Sequence, residues 1–198
     1  MLPDDAIPDG SAVRRGAGFG IRFLARLIDT ILGLVLGFGI GIVVGIVFFL
    51  LARAGLMRPD WAQQLQHFSI LGVLVSLLGA WMYHTVVEGV ASSSVGKLMC
   101  GLWVVDLQGR PIGVGAALKR GLAYHWDALF LGLVGYESMR KTPLRQRYGD
   151  VWAKTIVVSK ADGGPTPAVP ASRAALGVLA GLAVWSAFLA LNLCIRMV

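Results

Sequence analysis

Residues 20–52 read GIRFLARLIDTILGLVLGFGIGIVVGIVFFLLA, and this stretch decides the fold. From Thr30 to Ala52 it carries no charged residue. A bilayer core of roughly 30 Å, crossed by a helix rising about 1.5 Å per residue, needs about 20 apolar residues. Two further runs, Phe68–Val87 and Ala174–Ile195, satisfy the same arithmetic. The reading is an all-α membrane protein with spans at about 27–52, 68–87 and 174–195.

Composition agrees. Of the 198 residues 56% are hydrophobic, and the mean hydropathy of +0.71 excludes an ordinary soluble domain. A net charge of +7 in a soluble chain would raise nucleic-acid binding. Here no basic patch is interleaved with stacking aromatics, so no nucleic acid is expected. The basic residues instead flank the spans on the cytoplasmic side, where they meet anionic lipid headgroups. Cys100 and Cys194 are expected on opposite sides and lack metal-ligand spacing, so neither a disulfide nor a metal is expected. Residues 1–18 are polar with Pro and Gly, a disordered cytoplasmic N-terminus rather than a cleavable signal, which leaves the first span as its own insertion signal.

Orientation follows from the cations. Arg14, Arg15, Arg22 and Arg26 precede the first span and place the N-terminus in the cytoplasm. The loop at 53–67 carries only Arg53 and Arg58 against Asp60 and reads as the outer side. Segment 137–173 is the most basic of all, with Arg140, Lys141, Arg145 and Arg147 among its cations. The apolar stretch Gly121–Tyr136 between two basic loops therefore should not cross; a helix at 118–136 lies at the interface or re-enters. Strands are expected at 102–107 and 155–159, too few to stand alone and so resting on the inner helix ends as a small cytoplasmic β-hairpin element. Residues 160–173 form a Pro/Gly linker to the additional last span, beyond a membrane domain at 19–159.

Two ridges of small residues stand out. Gly33, Gly37, Gly41 and Gly45 recur every four residues in the first span, and Gly72, Ser76 and Ala80 share that period in the second, continuing to His84 and Glu88. Close helix approach is the ordinary use of such ridges. If they face each other, Asp29, His84 and Glu88 converge at the cytoplasmic boundary. Arg22, Arg26 and Asp29 also share a helix face. They form either an internal ion pair that neutralises Asp29 or a polar cluster that binds an ion, a proton or a headgroup. Asp127 stands in an apolar setting without a local partner in sequence. Gly177 and Gly181 on the last span offer a surface for oligomer assembly.

Three other motifs carry no chemistry. GVASSSVGK at 89–97 spaces its glycines too widely for a phosphate loop and has Leu98 where Ser or Thr is required. His67, His84 and His125 lack paired spacing and nearby cysteines. Serines 92–94 have no evident base. No enzyme, catalytic residue or cofactor is expected.

GIRFLARLID at 20–29, SVGKLMCGLWVVDLQGRPI at 94–112, LKR at 118–120 and RQRYGDVWAKTIVV at 145–158 resemble the RDD family of bacterial membrane proteins. The resemblance matches the family's arginine to Arg22, its first aspartate to Asp29 and its second to Asp150; Glu88 sits where many members have a glutamate. One departure is local: the family's G-x-T-P-G-K turn is Ser92-Ser93-Ser94-Val95-Gly96-Lys97 here. The resemblance implies transport of a small ligand or ion, including cation/proton exchange, by an oligomer. The competing reading is a non-catalytic accessory or assembly subunit packed against other membrane proteins.

Overall fold

The computed structural model describes residues 15–56, 70–127 and 129–197, without the side chains of 125–131 and 196–197. Residues 1–14 of the expected disordered segment at 1–18, most of the loop at 53–67 with His67, the first residues of the second span, and the side chains of His125 and Asp127 lie outside this description. Within 15–18 the expectation is corrected, since Ala17 is fully buried. In chain order the elements are α1 (Phe19–Arg53), α2 (Ile70–Ala91), α3 (Val95–Met99), β1 (Leu102–Asp106), α4 (Val114–Asp127), α5 (Leu129–Lys141), α6 (Tyr148–Trp152), β2 (Thr155–Ser159) and α7 (Ala171–Met197).

Three helices are long and apolar enough to cross a membrane: α1, α2 and α7. This is an all-α membrane protein with a small sheet at one end. Its apolar side chains point outward, as hydrocarbon solvation permits: Leu34 is 68% exposed and Phe38 76%. α1 starts at Phe19 rather than near residue 27, because the arginine-bearing turns before Asp29 continue the same helix. The described residues of the apolar stretch at 121–136 belong to α4 and α5.

β1 and β2 pair antiparallel, with Val104 opposite Val157 and Trp103 opposite Val158. They are not joined by a tight turn. The short return after β1 makes only an isolated bridge between Val105 and Pro111, and α4, α5 and α6 intervene before β2. The ribbon is buried on both faces, which is what a two-stranded sheet requires to persist. Leu102, Val104 and Val157 pack with Ala17, Ala25, Ile112 and Ala117 on one face; Val105, Ile156 and Val158 pack with Leu144 on the other. The backbone N–H of Ala17 donates to the carbonyl of Val157 at 2.8 Å, tying the entry to α1 onto the sheet.

α2 and α7 form the tightest helix pair. Gly79 of α2 takes the side chain of Phe188, Gly181 of α7 meets Val87 and Tyr83, and Gly177 meets Val90 and Ala91. Asn192 Nδ2 donates to the Gly72 carbonyl at 2.6 Å and to Ser76 Oγ at 2.5 Å. Small residues and an interhelical amide bond are how helices associate in lipid. Two expectations are thereby corrected. Gly177 and Gly181 pack within the chain instead of facing an oligomer partner. The Gly72–Ser76 end of the second ridge meets α7, not α1, while Ala80 lines a cavity. The first ridge is corrected too: a Cβ at Gly33, Gly41 or Gly45 would meet nothing within 4 Å, and one at Gly37 would meet only Trp185 of α7. The period-four rule identifies a small-residue stripe but not its partner, and Asn192 and Phe188 choose α7 for α2. Gly79→Val should therefore lower thermal stability in detergent by about 1–3 kcal/mol, because its Cβ would lie 2.6 Å from that of Phe188. An unchanged melting temperature would contradict this packing.

Candidate functional site

The inner ends of α1 and α2 meet α3, α4 and α6 in a buried lattice of alternating charge. Asp150, in the first turn of α6, is 3% exposed. Its Oδ2 accepts from Arg22 Nη1 at 2.8 Å and from the Arg147 backbone N–H at 3.1 Å, and its Oδ1 accepts from Arg120. Arg120 Nε in turn reaches Glu88 Oε2 at 3.3 Å, and the other oxygen of Glu88 accepts from Lys97. The order Arg22–Asp150–Arg120–Glu88–Lys97 joins five helices, each carboxylate lying between two cations. Arg22 spends its remaining donors on backbone: Nε on the Ala17 carbonyl at 3.0 Å and Nη2 on the Arg145 carbonyl at 2.8 Å. Arg120 also donates to Thr155 Oγ1 at 2.9 Å, linking the lattice to β2.

These contacts set the protonation states outside the spans. Burial alone would raise the pKa of Asp150, but Arg120, Arg22 and Arg147, with the Arg147 backbone N–H, hold it below the usual carboxylate range. Burial works against the charge on Arg120 as well, yet Asp150 and Glu88 together raise its pKa. For Lys97 burial wins: its pKa falls, with Arg120 adding to the effect and Glu88 opposing it.

Asp29 does not pair with Arg22, which corrects the ion-pair expectation. Seven residues of helix separate the two by roughly 10 Å along the axis, and Asp150 offers Arg22 a partner from the other side. Asp29 instead accepts from Ser94 Oγ at 2.6 Å and from the Gly96 backbone N–H at 2.7 Å. Arg26 lies over the Tyr124 ring, 4.4 Å from its centroid. In the turn that departs from the family pattern, Ser94 caps α3 and Gly96 makes the close approach to α1. Ser92, where the family has glycine, has φ of +55°, a conformation that disfavours side chains. Its Oγ accepts from the Ile112 backbone N–H at 3.0 Å, and its carbonyl from Val104 N–H at 2.7 Å, which hold it there.

Above the lattice, a cavity of about 740 Å³ opens between α1, α2 and α7. Leu34, Leu77, Leu182 and Trp185 wall its apolar part, while Asp29, Glu88, Asp150, Arg26, Lys97 and Arg147 contribute to its floor. Asp29, His84 and Glu88 thus border one space, as their helix positions suggested, but the acids do not touch one another; Glu88 is occupied by Lys97 and Arg120. His84 Nδ1 is buried without a hydrogen-bond partner among the described residues, and its ring meets Tyr83 edge-on at 5.1 Å. No group of three His, Cys, Asp or Glu suited to a metal ion occurs among the described residues. Sequence reasoning missed Arg120, Lys97, Ser94, Gly96 and Arg147 as site residues. The blocks SVGK and LKR held the signal, since each places a cation beside an element that the aspartates must reach.

Three membrane-length helices with a buried arginine–aspartate lattice at one end define an integral membrane protein. The sequence profile of the RDD family matches residues 16–154, and the chain belongs to that family. No characterised protein and no solved structure gives a significant match. α7 lies beyond the matched region although it is the main partner of α2.

Proposed function

We propose that this protein holds and moves a small ligand in the cavity between its three apolar helices, in a bacterial inner membrane, with the sheet-bearing end in the cytoplasm. The observation that carries this reading is the cavity itself, of about 740 Å³ and enclosed by both hydrocarbon-facing walls and a charged floor. Transport in this reading concerns a ligand rather than exchange of a cation for a proton. An exchanger needs a carboxylate able to shed its partners, whereas Asp29, Glu88 and Asp150 each have two or more donors. No catalytic step is involved. The partners are the bilayer's anionic headgroups and other membrane subunits or further copies of the chain, since three helices enclose a pathway only incompletely.

One observation favours the accessory-subunit alternative: a Cβ at Gly33, Gly41 or Gly45 on the ridge of α1 would meet nothing within 4 Å among the described residues. Native mass spectrometry of the full chain in a mild detergent separates the readings. Ligand carriage predicts a small-molecule adduct that Ala80→Trp, filling the cavity wall, displaces without lowering the melting temperature. A bare chain with a stoichiometric protein partner supports the accessory reading instead. Proton-coupled cation flux in sealed liposomes, abolished by Asp29→Asn, would overturn the proposal in favour of exchange.

A further inference from the structure

The geometry points to an acidic phospholipid, drawn sideways from the inner leaflet, as the occupant of this cavity; the inference rests on the ligand-binding reading above. Three observations converge on it. The first is shape: the cavity is walled by α1 residues such as Leu34, which is 68% exposed, and by Leu77 of α2, which is 60% exposed, so it communicates with the space where acyl chains lie. On the small-residue ridge of α1 a Cβ at Gly37 would meet Trp185, while one at Gly33, Gly41 or Gly45 would meet no described atom within 4 Å, leaving a lateral gap that hydrocarbon must fill in a bilayer.

The second observation is charge. Five cations border the floor against three carboxylates, a surplus of two positive charges. Arg22, Arg120 and Lys97 are consumed by Asp150 and Glu88, and Asp29 is satisfied by Ser94 and Gly96. The surplus therefore belongs to Arg26 and Arg147, neither of which forms an ion pair among the described residues. A monoanionic phosphodiester supplies the acceptor that guanidinium groups match best.

The third observation concerns unmet hydrogen bonds. Among the described residues four buried side-chain polar atoms lack a partner: Trp81 Nε1, His84 Nδ1, Thr85 Oγ1 and Arg147 Nε. All four belong to residues that line this one cavity. Buried polar atoms are ordinarily satisfied, so their concentration around one cavity marks the place where the chain's own hydrogen bonding is incomplete. Three of the four can act as donors in any protonation state, in keeping with an acceptor-rich headgroup. Zwitterionic lipid offers the same phosphate but brings its own cation, which the surplus of positive charge opposes.

The test uses tryptophan fluorescence, because Trp81 and Trp185 line the cavity. The full chain is reconstituted in zwitterionic vesicles doped with a phosphatidylglycerol brominated on its acyl chains, or with the matching brominated phosphatidylcholine. The acidic lipid is expected to give a saturable quenching component at about tenfold lower mole fraction than the zwitterionic one. Arg26→Gln combined with Arg147→Gln should reduce that preference to within about twofold. Ala80→Phe, a change at an exposed wall position, should weaken the saturable component for both lipids; it keeps the test decisive if the arginine pair fails to fold. Trp81→Phe with Trp185→Phe should remove the component and leave ordinary quenching of the other tryptophans. Equal quenching by the two lipids in the parent chain, or a preference unmoved by both the arginine and Ala80 variants, would overturn the inference. Free glycerol phosphate that competes away the quenching would reassign the site to a soluble phosphate. If native mass spectrometry meanwhile shows a non-lipid adduct in the same cavity, ligand carriage survives and only the lipid assignment fails.

Discussion

Asp150→Asn should destabilise the protein by about 3–5 kcal/mol, more than removal of any surface charge. The substitution is nearly isosteric, so packing around α6 is kept, but it strips the negative charge from between Arg22 and Arg120. Both guanidinium groups are buried, with side chains 3% and 11% exposed, and cannot turn to water. The cost is thus that of leaving buried cations uncompensated rather than the net value of an ion pair. In detergent this corresponds to a melting temperature lower by roughly 6–20 °C. Arg22→Met with Asp150→Leu should recover much of the loss, since an apolar pair of similar volume removes the stranded charge and Arg120 keeps Glu88 and Thr155 as partners. A loss below about 1 kcal/mol for Asp150→Asn would mean that the lattice is not what closes the sheet-bearing end.

The same residue gives stability a pH dependence of known sign. The folded pKa of Asp150 lies below its unfolded value. Its contribution is therefore fully present above the ordinary carboxylate pKa of about 4, and is lost as pH falls through the lowered folded value. Thermal melts between neutral pH and about pH 3 should show a decline concentrated at the acid end, and Asp150→Asn should flatten it. A decline of equal steepness in the variant would assign the acid sensitivity to other groups.

The parts of this fold dictated by solvent were readable from residue order alone. Uncharged runs of sufficient length form helices in hydrocarbon, and three such runs became the three long apolar helices. The β-branched runs at 102–107 and 155–159 were legible as strands for the same kind of reason. Pairings were not. Gly33, Gly37, Gly41 and Gly45 look the same in sequence as Gly177 and Gly181, yet only the latter pack closely throughout, because Phe188 and Asn192 lie on α7 and not on α1. The site was half visible. Arg22, Asp29, Glu88 and Asp150 all border the one buried site, but their partners come from positions up to 128 residues away. Arg22 and Asp29 share a helix face, and proximity in sequence suggested a bond that the tertiary structure gives to Asp150 and Gly96 instead.

Gly96→Ala should be nearly as damaging as Asp150→Asn, at about 3 kcal/mol or more, through a different physical cause. A Cβ at position 96 would lie 2.1 Å from the Ala25 carbonyl oxygen, 2.9 Å from Asp29 Cγ and 3.0 Å from the Asp29 backbone nitrogen. Two of these three atoms are helix backbone and cannot swing aside, so α3 must withdraw from α1. Withdrawal breaks the 2.7 Å bond from the Gly96 N–H and strains the 2.6 Å bond from Ser94 Oγ, both to an aspartate only 8% exposed. The cost combines overpacking with the loss of charge-assisted hydrogen bonds at a buried carboxylate. Gly41→Ala is the matched control on α1. Its Cβ would meet nothing within 4 Å, and helix propensity favours alanine by roughly 0.5–1 kcal/mol. The pair should therefore move in opposite directions in one thermal-shift series, Gly96→Ala sharply down and Gly41→Ala level or slightly up. Equal losses would place a helix against the Gly41 face; equal tolerance would show that Asp29 is not held by the turn at Ser94–Lys97.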